Sequence, residues 1–314
     1  MTEESLRLHI DKYKAYIDFM LSQQQWSGIT KAEVDQWLDN FRYLNSYELY
    51  LVYKLFANII YFSEKDVLDA LQEGINARLF SDIILKKQKD NDFSCSQKSL
   101  KNSLNEELNY SIFIPLLDKN APHESANYVT RLLVQHGIID QKQSVFLNQI
   151  VDKWTNNPFS NLIIIDDCVG SGDQLRNFWK KSFVIENGTS ISLDLFCRKH
   201  NVKAYYLSLF GYDLSIESLQ REFPTLNICC VHLLSDDQRV FSEKSYIWAN
   251  KQERQDALML FSEITDNVGI KLYGYKELDF AFIMHQTIPN WSLPLFWQEN
   301  SDWKLLLRRK NSNG

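Results

Sequence analysis

The sequence predicts an α/β fold: a mainly parallel, doubly wound sheet preceded by a small helical domain. Three observations predict it. Apolar residues recur at spacings of three and four through the first ninety residues, the period of amphipathic helices. From residue 111 onward, short apolar runs alternate with helical patterns, as strands and crossover helices do in a parallel sheet. The run Leu-Ile-Ile-Ile at residues 162–165 is branched and apolar throughout, the mark of a strand buried on both faces.

Taken in order, Leu6, Ile10, Tyr13, Ile17, Met20 and Leu21 mark a first helix. Thr30 and Glu33 form a capping box before Val34, Trp37, Leu38 and Phe41. Ser46 opens a third helix that runs to residue 60, and Ser63 opens a fourth carrying Val67, Leu71 and Ile75. Residues 1–90 thus read as a helical domain, and the polar, charge-rich residues 91–106 as a linker. Beyond it the spacing predicts strand 111–117, helix 126–136, a helical stretch 141–154, strand 162–166, helix 173–182, strands 190–197 and 203–210, helix 214–222 and strand 226–234. Pro115 removes a ladder donor and marks a bulge or the end of its strand. Residues 107–314 form one larger domain with an aromatic C-terminal segment.

A net charge of −6 argues against a broad surface for nucleic acid, and so does the lack of a basic face on the N-terminal helices, which could otherwise form a helix-turn-helix-like bundle. The basic run Lys304, Arg308, Arg309 and Lys310 reads as a solvated tail. Five cysteines without a Cys-x-x-Cys pair indicate neither zinc site nor disulfide framework and fit a cytoplasmic setting. No apolar run approaches the roughly 18 residues that span a bilayer, and the N-terminus lacks a leader pattern, so no membrane association is expected. Aromatic residues make up 13% of the chain, enough for bulky core layers and for a partner surface, with most of them expected in the core.

The chemistry concentrates at residues 161–174, Asn-Leu-Ile-Ile-Ile-Asp-Asp-Cys-Val-Gly-Ser-Gly-Asp-Gln. Asp166 and Asp167 fall where the strand leaves the sheet, the end at which ligands collect in open α/β folds. Carboxylates there accept hydrogen bonds from diols. Gly170, Ser171 and Gly172 allow positive φ and a close backbone approach, and Ser171 adds a hydroxyl. A helix beginning near Asp173 places an anion at its N-terminus, where the macrodipole contributes about 0.3–1 kcal/mol. A P-loop needs Gly-Lys-Ser or Gly-Lys-Thr, and Asp173 stands where its lysine belongs. A dinucleotide fingerprint carries its acid after the glycines rather than before them. Two aspartates also suit a plain cap of the turn and helix, so a ligand site and a structural turn both stand on the residues alone. His200, His232 and His285 lack metal-like spacing and read as packing residues; Asp236 with Asp237, Arg239 and Lys244 are further candidates for the same cleft.

The ordered acids, hydrophobic pair and glycine turn resemble the phosphoribosyl diphosphate (PRPP) motif of type I phosphoribosyltransferases: four hydrophobic residues, two acids, two hydrophobic residues, then Thr-Thr-Gly-x-Thr. The resemblance implies a phosphoribosyltransferase-like fold. It makes Asp166 and Asp167 the catalytic acids that hold the ribose, through or near Mg²⁺, and Gly170, Ser171, Gly172, Asp173 and Gln174 the residues that hold the phosphate of PRPP or a nucleotide. Gly170 and Gln174 replace threonines of the motif, so two hydroxyl donors, each worth about 1.5–3 kcal/mol to a phosphate, are missing. Residues 111–125 resemble the pyrophosphate loop of these enzymes, with Lys119 and His123 facing diphosphate and Ser125, alone or with Glu124, capping the next helix.

The ending, with Gly274-Tyr275, the strand from Phe280 to Met284, the segment from Ile288 to Trp297, then Trp303 and Arg308, is similar to phosphoribosyltransferase-like domains of bacterial conflict systems. That subgroup implies an effector or accessory protein of antiphage defence, with a protein partner such as a reverse transcriptase. A catalytically inactive nucleotide sensor or interaction platform is the alternative.

Overall fold

Thr2 accepts the Ser5 amide and so caps helix α1 (Glu3–Ser22), the first element of a computed structural model that describes residues 1–117, 125–285 and 287–308. The expectations for Lys119, His123 and Glu124, the Ser125 side chain, Arg309 and Lys310 lie outside the described residues. Helix α2 (Lys31–Leu38) carries the expected Thr30–Glu33 capping box. Helix α3 (Ser46–Ala57) begins at the expected residue, with Asn45 before it accepting both the Tyr47 and Glu48 amides, and ends three residues short of 60 because Ile60 opens a strand. Strand β1 (Ile60–Phe62) and helix α4 (Glu64–Glu73) follow, then a π-helical turn, Gly74–Arg78, and helices α5 (Ser81–Asp90) and α6 (Gln97–Asn109). The remaining elements are β2 (Ser111–Pro115), α7 (Ser125–Gln135), α8 (Ile150–Asn156), β3 (Asn161–Val169), α9 (Asp173–Lys181), β4 (Phe183–Glu186), β5 (Thr189–Ser192), α10 (Leu193–Lys199), β6 (Lys203–Tyr212), α11 (Asp213–Glu222), β7 (Leu226–Leu234), α12 (Lys251–Val268) and β8 (Phe282–Met284).

The chain divides into two units. Met1–Val67 joins the described residues from Ser235 to Arg308, and Leu68–Leu234 forms the other. The expected linker is largely α6: Ser96 caps it, Leu100, Leu104 and Leu108 repeat every four residues, and the Lys87 ammonium of α5 bonds Ser103. The expected strand 190–197 is instead β5 followed by α10. Asn187 and Gly188, both at positive φ, close a β4–β5 hairpin, and Ser192 then caps the helix by accepting the Leu195 amide at 3.1 Å.

In the unit Leu68–Leu234 the four-stranded sheet has the order β2-β3-β6-β7, every pair parallel. One face (Ile112, Ile114, Leu162, Ile164, Ala204, Tyr206) packs on Leu175, Phe178 and Trp179 of α9, Phe196 of α10 and Leu219 of α11. On the other face Gly74 lies against Leu207 and Val231, and Phe80 meets the Tyr205 ring edge-on at 5.3 Å. Helices cover both faces, as a doubly wound sheet requires. Pro115 is the last residue of the edge strand, where its missing N–H costs the ladder nothing.

The other unit is built from both ends of the chain. Trp37 of α2 stacks on Phe56 of α3 at 5.0 Å, and its indole N–H donates to the Leu295 carbonyl at 2.8 Å. Trp303 donates to the same carbonyl at 2.9 Å, and Phe41 meets its ring edge-on. Strand β8 pairs in parallel with β1. The aromatic ending is largely core, as most of the aromatic residues were expected to be: Leu293, Leu295 and Phe296 are fully buried, Trp291 and Trp303 nearly so. At Gly274 a Cβ would stand 2.5 Å from the Trp291 carbonyl carbon, so only glycine fits beneath that segment. Among these residues, Lys54 of α3 and Glu253 of α12 form a buried ion pair at 2.8 Å, and the Tyr50 hydroxyl donates to the second Glu253 oxygen at 2.6 Å.

Candidate functional site

Strand β3 carries its acids past the end of its neighbour. Pairing with β2 stops at Pro115 opposite Ile165, whereas β6 continues alongside as far as Gly211 opposite Val169. The strand thus runs three residues beyond its expected end at 166, because β6 is long enough to keep pairing with it. Asp166 and Asp167 stand on this extension, one strand over from where the chain leaves β2.

The two acids are not equivalent. Asp166 is 3% exposed and accepts the Tyr206 hydroxyl at 2.6 Å, with its other oxygen taking the Asp167 amide at 3.0 Å. Asp167 is 7% exposed and accepts the Cys168 amide at 2.9 Å. Burial above all, then repulsion from the Asp167 carboxylate and a hydrogen bond to it, raises the Asp166 carboxyl well above the ordinary range; the Tyr206 bond only partly offsets this. Burial, with Asp166 next, likewise raises the Tyr206 phenol, which stays a donor. Both Asp166 oxygens are thus taken by donors of the protein itself, the Tyr206 hydroxyl and the Asp167 amide. Asp166 is turned into the protein and committed to Tyr206, whereas Asp167 accepts only a backbone amide.

The sign of the resulting pH effect is fixed. A carboxyl whose folded value is raised binds its proton more tightly in the folded state, so stability falls as pH rises from the unfolded value, about 3.9, toward the folded one. Asp166→Asn keeps an oxygen for Tyr206 and removes the titration. Thermal unfolding of the wild type should lose Tm as pH rises above that unfolded value, and the variant should lose less over the same interval.

The turn after β3 is a defined structure. Gly172 has φ +80° and ψ 1°, the left-handed conformation that glycine adopts without cost, and a Cβ there would meet Leu219 at 2.9 Å. Ser171 Oγ accepts the Asp173 amide at 3.3 Å, starting α9. No acceptor among the described residues takes the amides of Ser171 or Gly172. Gly170 is buried, Asp173 is half-buried in the first turn of α9, and Gln174 beside it is exposed. The expected residues from 166 to 174 are contiguous in space as well as in sequence. Sequence reasoning missed Arg176, whose guanidinium bonds the Ser171 carbonyl at 2.7 Å, and Tyr206; a signal for the first existed in the Asp173-x-x-Arg176 spacing.

Other candidates are engaged elsewhere. Arg239 bonds Asp279, Asp236 and the Glu277 carbonyl within the unit that begins at Ser235, and Asp237 and Lys244 belong to that unit as well. His200 pairs with Glu186 at 2.5 Å against the Trp154 ring, and His232 stacks on Phe210 at 5.5 Å. Among the described residues no group of three or more His, Cys, Asp and Glu side chains is arranged to hold a metal ion. Burial pushes the Cys229 thiol up to about 11 and those of Cys197 and Cys230 to about 12, which makes them packing residues and not nucleophiles. No described helix is long and apolar enough to cross a membrane.

The parallel sheet, the acid pair at the end of its second strand and the glycine turn into a helix now stand together. No curated protein matches the chain. A protein-family model, PRTase-CE, matches residues 34–309, from α2 through the C-terminal segment, well over half of the chain. The chain belongs to the PRTase-CE family and carries a phosphoribosyltransferase-like domain.

Proposed function

We propose that this protein binds PRPP or a nucleotide as an effector or accessory protein of a bacterial antiphage defence system, with the phosphate in the turn 170–174 and the ribose diol at Asp167. The observation that carries the reading is the pair of unclaimed amides at Ser171 and Gly172, held at the N-terminus of a nine-residue helix by a left-handed glycine. Phosphate there gains amide donors, one hydroxyl and the positive end of a helix. Asp167, whose Oδ1 alone is engaged by the Cys168 amide, accepts from a hydroxyl of the diol. Mg²⁺ fits this donor set only as a companion of the ligand's diphosphate, since one ionised carboxylate is a typical protein share of a magnesium shell completed by phosphate and water. Asp167 would be the protein's ligand to it.

The commitment of Asp166 to Tyr206 favours binding over efficient transfer, and with it the second reading, a catalytically inactive nucleotide sensor or interaction platform in a defence complex. Calorimetry with PRPP, ribose 5-phosphate and AMP, each with and without Mg²⁺, tests the site. Binding is expected in the wild type and in Asp166→Asn, and a loss of roughly tenfold or more in Asp167→Asn, the share of one charge-assisted hydrogen bond. Equal affinity in Asp167→Asn, or no binding by the wild type, would remove the proposal. For the cellular role, phage plating on a host carrying the native locus should lose protection in Asp167→Asn while any co-purifying partner is retained.

A further inference from the structure

We infer that Arg176 is the residue that aims the phosphate turn, a positioning role that rests on the reading of residues 170–174 as a phosphate cradle. Its guanidinium reaches four acceptors at once. Nη1 donates to the Ser171 carbonyl at 2.7 Å and to Asp173 Oδ1 at 3.2 Å, Nε to Glu222 Oε2 at 2.7 Å, and Nη2 to Ser218 Oγ at 3.1 Å. Ser218 and Glu222 belong to α11, and Lys180 of α9 takes the remaining Glu222 oxygen at 2.5 Å. A planar fork with five donors can serve both helices and the turn together; an ammonium cannot.

The consequence comes from peptide geometry. The Ser171 carbonyl and the Gly172 N–H belong to one planar unit, and the described residues contain no cis peptide bond, so the two groups point in opposite directions. Anchoring the carbonyl on Arg176 therefore fixes where the Gly172 amide points, and that amide has no acceptor among the described residues. The positive φ of Gly172 then carries the chain straight into α9, where Ser171 Oγ takes the Asp173 amide. The donor is oriented before any ligand arrives, which lowers the ordering cost of binding. The arginine charge is already matched by Asp173 and Glu222, so Arg176 acts behind the turn and does not itself grip the phosphate.

The test uses the full chain with ribose 5-phosphate as probe, followed by calorimetry and by the ¹⁵N and ¹H resonances of the Gly172 amide. In the wild type the Gly172 amide proton is expected to move downfield on saturation, as an amide does when it gains an anionic acceptor. Arg176→Gln should weaken the probe by about tenfold or more and lose most of that response while circular dichroism reports an intact fold. Ser218→Ala, which leaves the Ser171 contact in place, should keep both. A wild type that binds no ribose 5-phosphate overturns the cradle and this role with it. A wild type that binds the probe without any response at Gly172, or a folded Arg176→Gln that binds as tightly, overturns the positioning role alone; the wild-type resonance decides the matter even where the variant fails to fold.

Discussion

Glu253→Ala is expected to lower the unfolding free energy by about 3–5 kcal/mol, the range for removing one partner of a buried ion pair. Lys54 and Glu253 are only 8% and 6% exposed, so the ammonium left behind has neither its anion nor water. Tyr50 and the Ala249 amide lose their acceptor in the same step. Urea unfolding of the two variants separates the charge from the packing: Lys54→Met with Glu253→Leu should recover most of the loss, because a well-packed apolar pair often does as well as a buried ionic one. A single-variant loss below about 1 kcal/mol would mean that the pair behaves like an exposed one. Burial raises the Glu253 carboxyl, but the bonds from Lys54, Tyr50 and Ala249 together outweigh it and leave the folded value lowered. Its contribution is therefore complete above the unfolded value, about 4.3, and is lost as pH falls through the folded one. Asp166 acts in the opposite sense, so the two sites oppose each other on the two limbs of the pH–stability curve.

Gly172→Ala should abolish ligand binding at a concentration that saturates the wild type, and should cost the fold as well. A left-handed residue with a Cβ loses about 1–2 kcal/mol, and the new methyl group would press on Leu219, which is fully buried and has little room to yield. The chain relieves this by rotating the turn, which takes the Gly172 amide off its line. Loss of one or two amide bonds to phosphate corresponds to a decrease in affinity of roughly 10- to 100-fold or more. Calorimetry with ribose 5-phosphate beside a thermal melt gives both numbers. A variant with reduced Tm and unchanged affinity would show that the turn is structural only.

The turn was legible in the sequence because everything that defines it is local: the apolar run, two acids and the glycines are consecutive, and their backbone demands do not depend on distant partners. The unequal roles of Asp166 and Asp167 were not, since they depend on the register that sets Ile164 opposite Tyr206 and Asp166 opposite Ser208. No pattern within either strand specifies that register. The β4–β5 hairpin had a signal that went unread, the Asn187-Gly188 pair at positive φ. So did α12, where the Asn250 side chain takes the Glu253 amide ahead of the buried Ala257, Leu260 and Phe261. Residues 91–106 misled because a narrow leucine stripe in a polar stretch looks like a linker until a neighbouring helix covers it. What the aromatic ending packs against was hidden for a similar reason: its partners, Trp37 and Phe56, lie in the first sixty residues, and the Trp37–Leu295 bond joins positions 258 apart.

That last separation has a bearing on how the polypeptide matures on the ribosome. Residues 68–234 can close their sheet as soon as they emerge, but the aromatic layers around Trp37 stay incomplete until Phe296 and Trp303 have been translated. Nascent α1 to α3 must wait with their apolar sides uncovered for most of synthesis, and a message truncated anywhere before codon 296 yields a finished middle flanked by an orphaned beginning.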